Sequence, residues 1–126
     1  MPLSILVIED DQDIRMFLKA LLRTEGHQVK TAQNGADALR QLGDDLNPDL
    51  IVVDLMMPKM NGWEFRRVQR RTEQIQDIPI IIVSGVSDTA DPERKLSPDA
   101  ILRKPLDPDA FLETVGRFNG EATSRA

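Results

Sequence analysis

The chain has no cysteine and no tyrosine, and only one histidine and one tryptophan among its 126 residues. Without cysteine there are no disulfides, no thiolate zinc sites and no thiol nucleophile. His27 alone cannot build a histidine-rich metal centre. No apolar run approaches the ~20 residues of a membrane-spanning helix. The opening Met1-Pro2-Leu3-Ser4 lacks the charged and apolar regions of a signal peptide. A cytoplasmic protein with no membrane association is the expectation. Positive charge is also scarce: 16 Lys and Arg stand against 21 Asp and Glu, a formal charge of −5. Direct nucleic-acid binding is therefore disfavoured, because phosphate recognition needs a net basic surface. What remains is one domain's length of chain with 40% hydrophobic residues, enough for a real core.

Short apolar runs alternate with longer amphipathic segments, the pattern of repeated βα units around a parallel sheet. Strands are expected at 4–9, 28–31, 50–54 and 78–84, with a short fifth at 101–103. The first helix should cover 13–25, with Ile14, Phe17, Leu18, Leu21 and Leu22 on its buried stripe and Gly26 as its stop. Asn34-Gly35 opens a second helix that turns Ala38, Leu39 and Leu42 inward. A third begins near Gly62 and buries Phe65, Val68 and Ile75, leaving Arg66, Arg67, Arg70 and Arg71 on the opposite face. Pro92 and Pro98 leave room for only a short fourth helix near 93–96, with Asp91 as cap and Pro92 as first residue. Asp107-Pro108 starts the last helix, which buries Phe111, Leu112, Val115 and Phe118.

Four of the apolar runs end on polar groups of complementary kinds. Ile5-Leu6-Val7-Ile8 runs into Glu9-Asp10-Asp11, Leu50-Ile51-Val52-Val53 into Asp54, Ile80-Ile81-Ile82-Val83 into Ser84, and Ile101-Leu102-Arg103 into Lys104-Pro105. The carboxyl ends of parallel strands share one edge of the sheet, where such folds bind and react. The acids should gather there around a cation. A hard ion such as Mg²⁺ takes oxygen ligands and keeps several waters. Asp10 and Asp54 are the expected carboxylate ligands, with Glu9 acting through water and Met56 giving its main-chain carbonyl. Without the ion, clustered acids repel one another and some of their pKa values rise. Asp11 and Asp13 are equally well read as turn or cap residues.

This constellation resembles the receiver domain of two-component response regulators. The resemblance rests on the stretches 5–11, Asp54-Leu55-Met56-Met57-Pro58-Lys59-Met60-Asn61-Gly62, Ile82-Val83-Ser84-Gly85 and Leu102-Arg103-Lys104-Pro105. It implies a doubly wound, flavodoxin-like α/β fold with five parallel strands in the order 2-1-3-4-5, a receiver domain over 3–119 and a disordered tail at 120–126. It implies further that Asp54 accepts a phosphoryl group, in a Mg²⁺-dependent reaction, from a sensor histidine kinase or a phosphotransfer protein. Glu9 and Asp10 match the family's acidic pair, Ser84 its switch hydroxyl and Lys104 its lysine. Lys104-Pro105 matches a cis peptide. Such a module modifies only itself, signals through protein contacts, and is a monomer or a weak dimer. The exposed side of the first helix (Arg15, Met16, Lys19, Arg23) is where the resemblance places the phosphodonor.

Three positions depart from the family pattern. Ile101 stands where receivers usually carry a tyrosine or phenylalanine that reports phosphorylation. The fourth helix is short, which weakens the usual output surface. Met56 and Val86 flank the expected path of the hydrolytic water, and neither can orient it strongly. A Mg²⁺-dependent phosphohydrolase of similar topology would carry a second Asp where Met56 stands. A phosphorylation-independent interaction module would have no use for the full set of pocket residues.

Overall fold

The computed structural model describes residues 2–85 and 92–125. Strands β1 (Ser4–Ile8), β2 (Gln28–Ala32), β3 (Leu50–Asp54), β4 (Ile80–Ser84) and β5 (Ala100–Arg103) alternate with helices α1 (Gln12–Thr24), α2 (Gly35–Gly43), α3 (Gly62–Arg70), α4 (Pro92–Leu96) and α5 (Pro108–Arg125). All pairings are parallel and the strand order is β2-β1-β3-β4-β5, the doubly wound arrangement expected.

The central strands are continuous apolar runs because both of their faces are covered. Alternation along each strand then sorts the side chains between two cores. Ile5, Val7, Leu50, Val52, Ile81 and Val83 pack with Leu18 and Leu22 of α1 and with Phe111, Val115 and Phe118 of α5. Leu6, Ile8, Ile51, Val53, Ile80 and Ile82 pack with Ala38, Leu42, Phe65 and Leu96 on the other side. Burying twelve such strand side chains at roughly 1.5–3 kcal/mol each is the main force holding the sheet between its helices.

Local chemistry fixes the helix starts. The Asp11 carboxylate accepts from the Asp13 and Ile14 amides, which makes Asp11 the cap of α1. Asn34 caps α2, and Asn61 with Glu64 closes a reciprocal capping box on α3. Asp107 accepts from the Ala110 amide at 3.0 Å and starts α5.

Several expectations need correction. Phe17 is 49% exposed, not buried. It lies at the edge of the α1 stripe, past the last residue that the sheet and α5 can cover. Arg66 turns inward, and Gln69 rather than Val68 takes the buried position one turn on. Ile75 is buried, but beyond the end of α3 at Arg70. The short fourth helix is present and begins at Pro92. Asp91 and Val86 lie outside the described residues. Ile101 is half-buried and packs against the α2/α3-side core, so it serves as an ordinary packing residue.

Candidate functional site

The register of the sheet carries four strand ends to one edge. Asp54 is the last residue of β3 and pairs with Val83, one residue before Ser84. The Leu55 amide donates to the Val83 carbonyl at 3.1 Å, and the Lys104 amide to the Ser84 carbonyl at 2.8 Å. On the other side, the Glu9 amide donates to the Ala32 carbonyl at 3.0 Å, tying the end of β1 to the end of β2. Glu9, Asp10, Asp54, Ser84 and Lys104 are thus brought to one region of that edge although they are spread along most of the chain.

Within it, Glu9, Asp10 and Asp54 each offer a carboxylate oxygen, all within 4.8 Å of one another. Glu9 and Asp54 are each only 3% exposed, whereas Asp10 faces solvent. Lys104 Nζ donates to Asp54 Oδ2 at 2.9 Å, and the Met56 amide donates to Asp54 Oδ1 at 3.2 Å. Each oxygen of Asp54 therefore has a donor, and its carboxylate is held in one orientation. Ser84 is fully buried, and its hydroxyl donates to the Gly85 carbonyl at 3.3 Å. The Lys104–Pro105 peptide is cis.

The electrostatics are unbalanced in one direction. Burial and then the Asp54 charge push the Glu9 carboxyl up to about 8, against the pull of the Asp11 amide and of Lys104. Burial pulls the Lys104 ammonium down. The hydrogen bond and charge of Asp54, with Glu9 and Asp10 behind it, outweigh that pull and raise it on balance. Three carboxyl groups gather beside one ammonium, and Glu9 is the one kept protonated. An all-oxygen, negatively charged set of this size suits a hard divalent cation, which would supply the missing positive charge.

The backbone around Asp54 is tightly fitted. A β-carbon on Gly62 would stand 2.7 Å from the Asp54 carbonyl oxygen and 2.8 Å from Leu55 Cα, so only glycine lets α3 begin there. Lys59 and Met60 both take positive φ (54° and 74°), which folds the loop back toward that start. Met56 is 65% exposed at the mouth of the cleft.

Two positioning residues escaped the sequence reading. Arg15, expected to face outward with Met16 and Arg23, instead donates from its guanidinium to the Glu9 carbonyl at 2.8 Å. It pins the acidic turn from α1. A cation one turn into the helix that follows an acidic strand end is the signal that would have found it. The second is Phe17. With Ile14, Leu18, Pro105 and Leu106 it lines an apolar groove of about 600 Å³ that reaches Lys104. A comparable space of about 650 Å³ lies near the opposite end of the sheet, lined by Leu39, Leu42, Leu46 and Ile75. It lacks a cluster of titratable groups, so the chemistry belongs to the cleft.

Comparison with known proteins gives a consistent picture. Residues 5–116 match the family model described as the response regulator receiver domain. The chain is 44% identical over 88 residues to the transcriptional regulatory protein AfsQ1 of Streptomyces coelicolor, spanning 37% of that protein's length. It is 28% identical to the polar-differentiation response regulator DivK of Brucella anthropi, over 97% of this chain and 100% of DivK. Among solved structures, the receiver domain of a signal transduction histidine kinase from Syntrophus aciditrophicus superposes with a TM-score of 0.84 at 31% identity, covering 91% of this chain and 88% of that one. The chemotaxis response regulator CheY4 of Vibrio cholerae superposes with a TM-score of 0.80 at 28% identity, covering 94% and 99%.

Proposed function

The chain belongs to the response regulator receiver domain family, and on that premise we propose that Asp54 is its phosphoacceptor. The reading rests above all on one observation. A buried carboxylate at a strand end is held by an ammonium at 2.9 Å and shares its cleft with two further acids within 4.8 Å. The donor is a phosphohistidine on a sensor histidine kinase or on a phosphotransfer protein.

Phosphoryl transfer is mostly a matter of position and charge neutralisation around a planar phosphoryl group. A carboxylate oxygen of Asp54 attacks the donor phosphorus in line through a lone pair. The new P–O bond forms as the P–N bond to histidine breaks, and the nitrogen leaves with the electron pair. No general base is needed, because a carboxylate nucleophile carries no proton to remove. Lys104 shifts from Asp54 Oδ2 onto one phosphoryl oxygen, and the Ser84 hydroxyl turns from the Gly85 carbonyl toward another. Glu9, Asp10, Asp54 and the main-chain carbonyl of Met56 would hold Mg²⁺, which when bound offsets the charge of the remaining oxygen. Arg15 keeps the Glu9–Asp10 turn in place while this happens.

The groove beside Lys104 suits the donor protein. Phe17 offers an apolar anchor there, and Met16 on α1 is exposed nearby. Output then passes through protein contacts that do not depend on an aromatic rotamer at position 101.

Incubation with phosphoramidate and Mg²⁺, followed by intact mass, tests the proposal. The expected result is one added phosphoryl group, lost in Asp54→Asn and absent when the metal is chelated. Uptake that survives Asp54→Asn would overturn it.

A further inference from the structure

Away from the acidic cleft, α3 and α4 flank a groove of about 380 Å³ lined by Trp63, Arg67, Arg70, Lys95 and Leu96. Arg67, Arg70 and Lys95 are exposed, Trp63 is half-buried and Leu96 forms the floor. Three cations therefore meet in one concavity of a chain whose formal charge is −5. Among the described residues, the ion pairs lie elsewhere, at Arg40, Lys104 and Arg117. The nearest acid on α3, Glu64, is turned to the helix start and committed to its capping box.

Simple helix electrostatics accounts for part of this. Arg67 and Arg70 sit in the last turn of α3, where cations complement the helix dipole. Lys95 likewise stands in the last turn of its own short helix, but that explanation does not account for the convergence of cations from two elements on one groove that Trp63 also lines. The two walls are also held together. Buried Arg66 reaches across from α3 to the end of α4, donating to the Leu96 carbonyl at 3.0 Å and to the Ser97 carbonyl at 2.9 Å. The groove is thus preformed, which lowers the ordering cost of binding.

We propose that this groove is a docking surface for an acidic segment of a partner protein. Carboxylates of the segment pair with Arg67, Arg70 and Lys95, and an apolar side chain lies between Trp63 and Leu96. Charge density argues for a peptide over a nucleic acid. Three cations and one aromatic make a short site, and the acidic remainder of the surface repels a long polyanion. An occupant spanning α3 and α4 would read the position of α4, the element that follows the segment after Ser84.

The chain's sole tryptophan lies in the groove and there is no tyrosine, so intrinsic emission reports this site alone. The test titrates the intact protein with a short synthetic peptide of Asp and Glu around one central leucine. A saturable change in Trp63 emission is expected, weakening as salt rises. Arg67→Glu with Arg70→Glu should raise the Kd about tenfold or more and transfer binding to a Lys-rich peptide of the same length. Lys95→Glu on the opposite wall should act in the same direction, and serves alone if the double variant does not fold. No emission change up to millimolar peptide, or charge reversals that leave the Kd unaltered, would overturn the proposal. It would also fall if a single-stranded oligonucleotide bound more tightly than the peptide. A shift produced by raising protein concentration alone would overturn it too, by assigning the groove to a second copy of the chain.

Discussion

Two sites in this molecule bury charge, and they handle it in opposite ways. In the cleft, Glu9 and Asp54 are each 3% exposed, and the Lys104 ammonium pairs with Asp54, so the buried Glu9 carboxyl keeps its proton up to about pH 8. Between α3 and α4, Arg66 is 8% exposed and forms no ion pair among the described residues, and each of its three guanidinium nitrogens donates to a neutral acceptor. Leu96 O, Ser97 O and Gln69 Oε1 accept from it, while Gln69 Nε2 donates onward to the Ile75 and Ile78 carbonyls. A charge that neutral acceptors hold in place from several sides belongs to the scaffold. A charge left short of a partner marks a place where something binds.

The sharpest way to break that contrast is Arg66→Ala. It strands two helix-end carbonyls and the Gln69 amide, so unfolding stability should fall by about 3 kcal/mol in urea titration. A loss below about 1 kcal/mol would show that solvent replaces the network freely.

In the cleft the sign reverses. The Glu9 carboxyl titrates near 8 when folded and near 4.5 in its ordinary state, so between those values the folded protein holds the extra proton. Metal-free protein should therefore lose stability as pH rises from about 4.5 to about 8. Glu9→Gln should remove that slope and gain on the order of 2 kcal/mol at pH 8 without metal. The same variant should bind Mg²⁺ more weakly. A Glu9→Gln protein with an unchanged pH slope would move the strain elsewhere.

A smaller effect is expected at the mouth of the cleft. Met56→Asn supplies a group able to orient water, and phosphate release from preloaded protein should quicken about fivefold, or about 1 kcal/mol. An unchanged rate would remove side chain 56 from the hydrolytic path.

The smallest concerns His27, half-buried at the other end of β1. Its Nδ1 accepts the Leu3 amide at 3.0 Å, and burial holds its pKa below the ordinary 6.5. This contribution is whole above pH 6.5 and is lost as pH falls through the lower folded value. Chemical denaturation at pH 7 and pH 5 should show the loss, and His27→Gln should abolish the difference.

The same contrast explains how far the sequence could be read. Strand order was legible only through the family resemblance, but the gathering of Glu9, Asp10, Asp54 and Lys104 was legible because each apolar run stops abruptly at a polar residue. In a parallel sheet, one edge collects all those stops. Arg66 and Arg15 were misread for a common reason. Helical periodicity treats every guanidinium as solvent-facing, yet the side chain is long enough to reach backbone carbonyls on another element. Phe17 failed in the opposite direction, since an aromatic at a stripe's edge is buried only if a neighbour extends over it. The arginine-and-tryptophan groove on α3 was visible as a basic helix face, but its second wall, Lys95 and Leu96, comes from tertiary placement.

The fit at Gly62 sets rules for anyone redesigning the loop after Asp54. With the Asp54 carbonyl 2.7 Å from where a methyl would stand, that position tolerates no added atom without displacing the Asp54 backbone. Side chain 56, by contrast, is 65% exposed two residues from Asp54. A library aimed at retuning the lifetime of the signal should randomise the second and leave the first untouched.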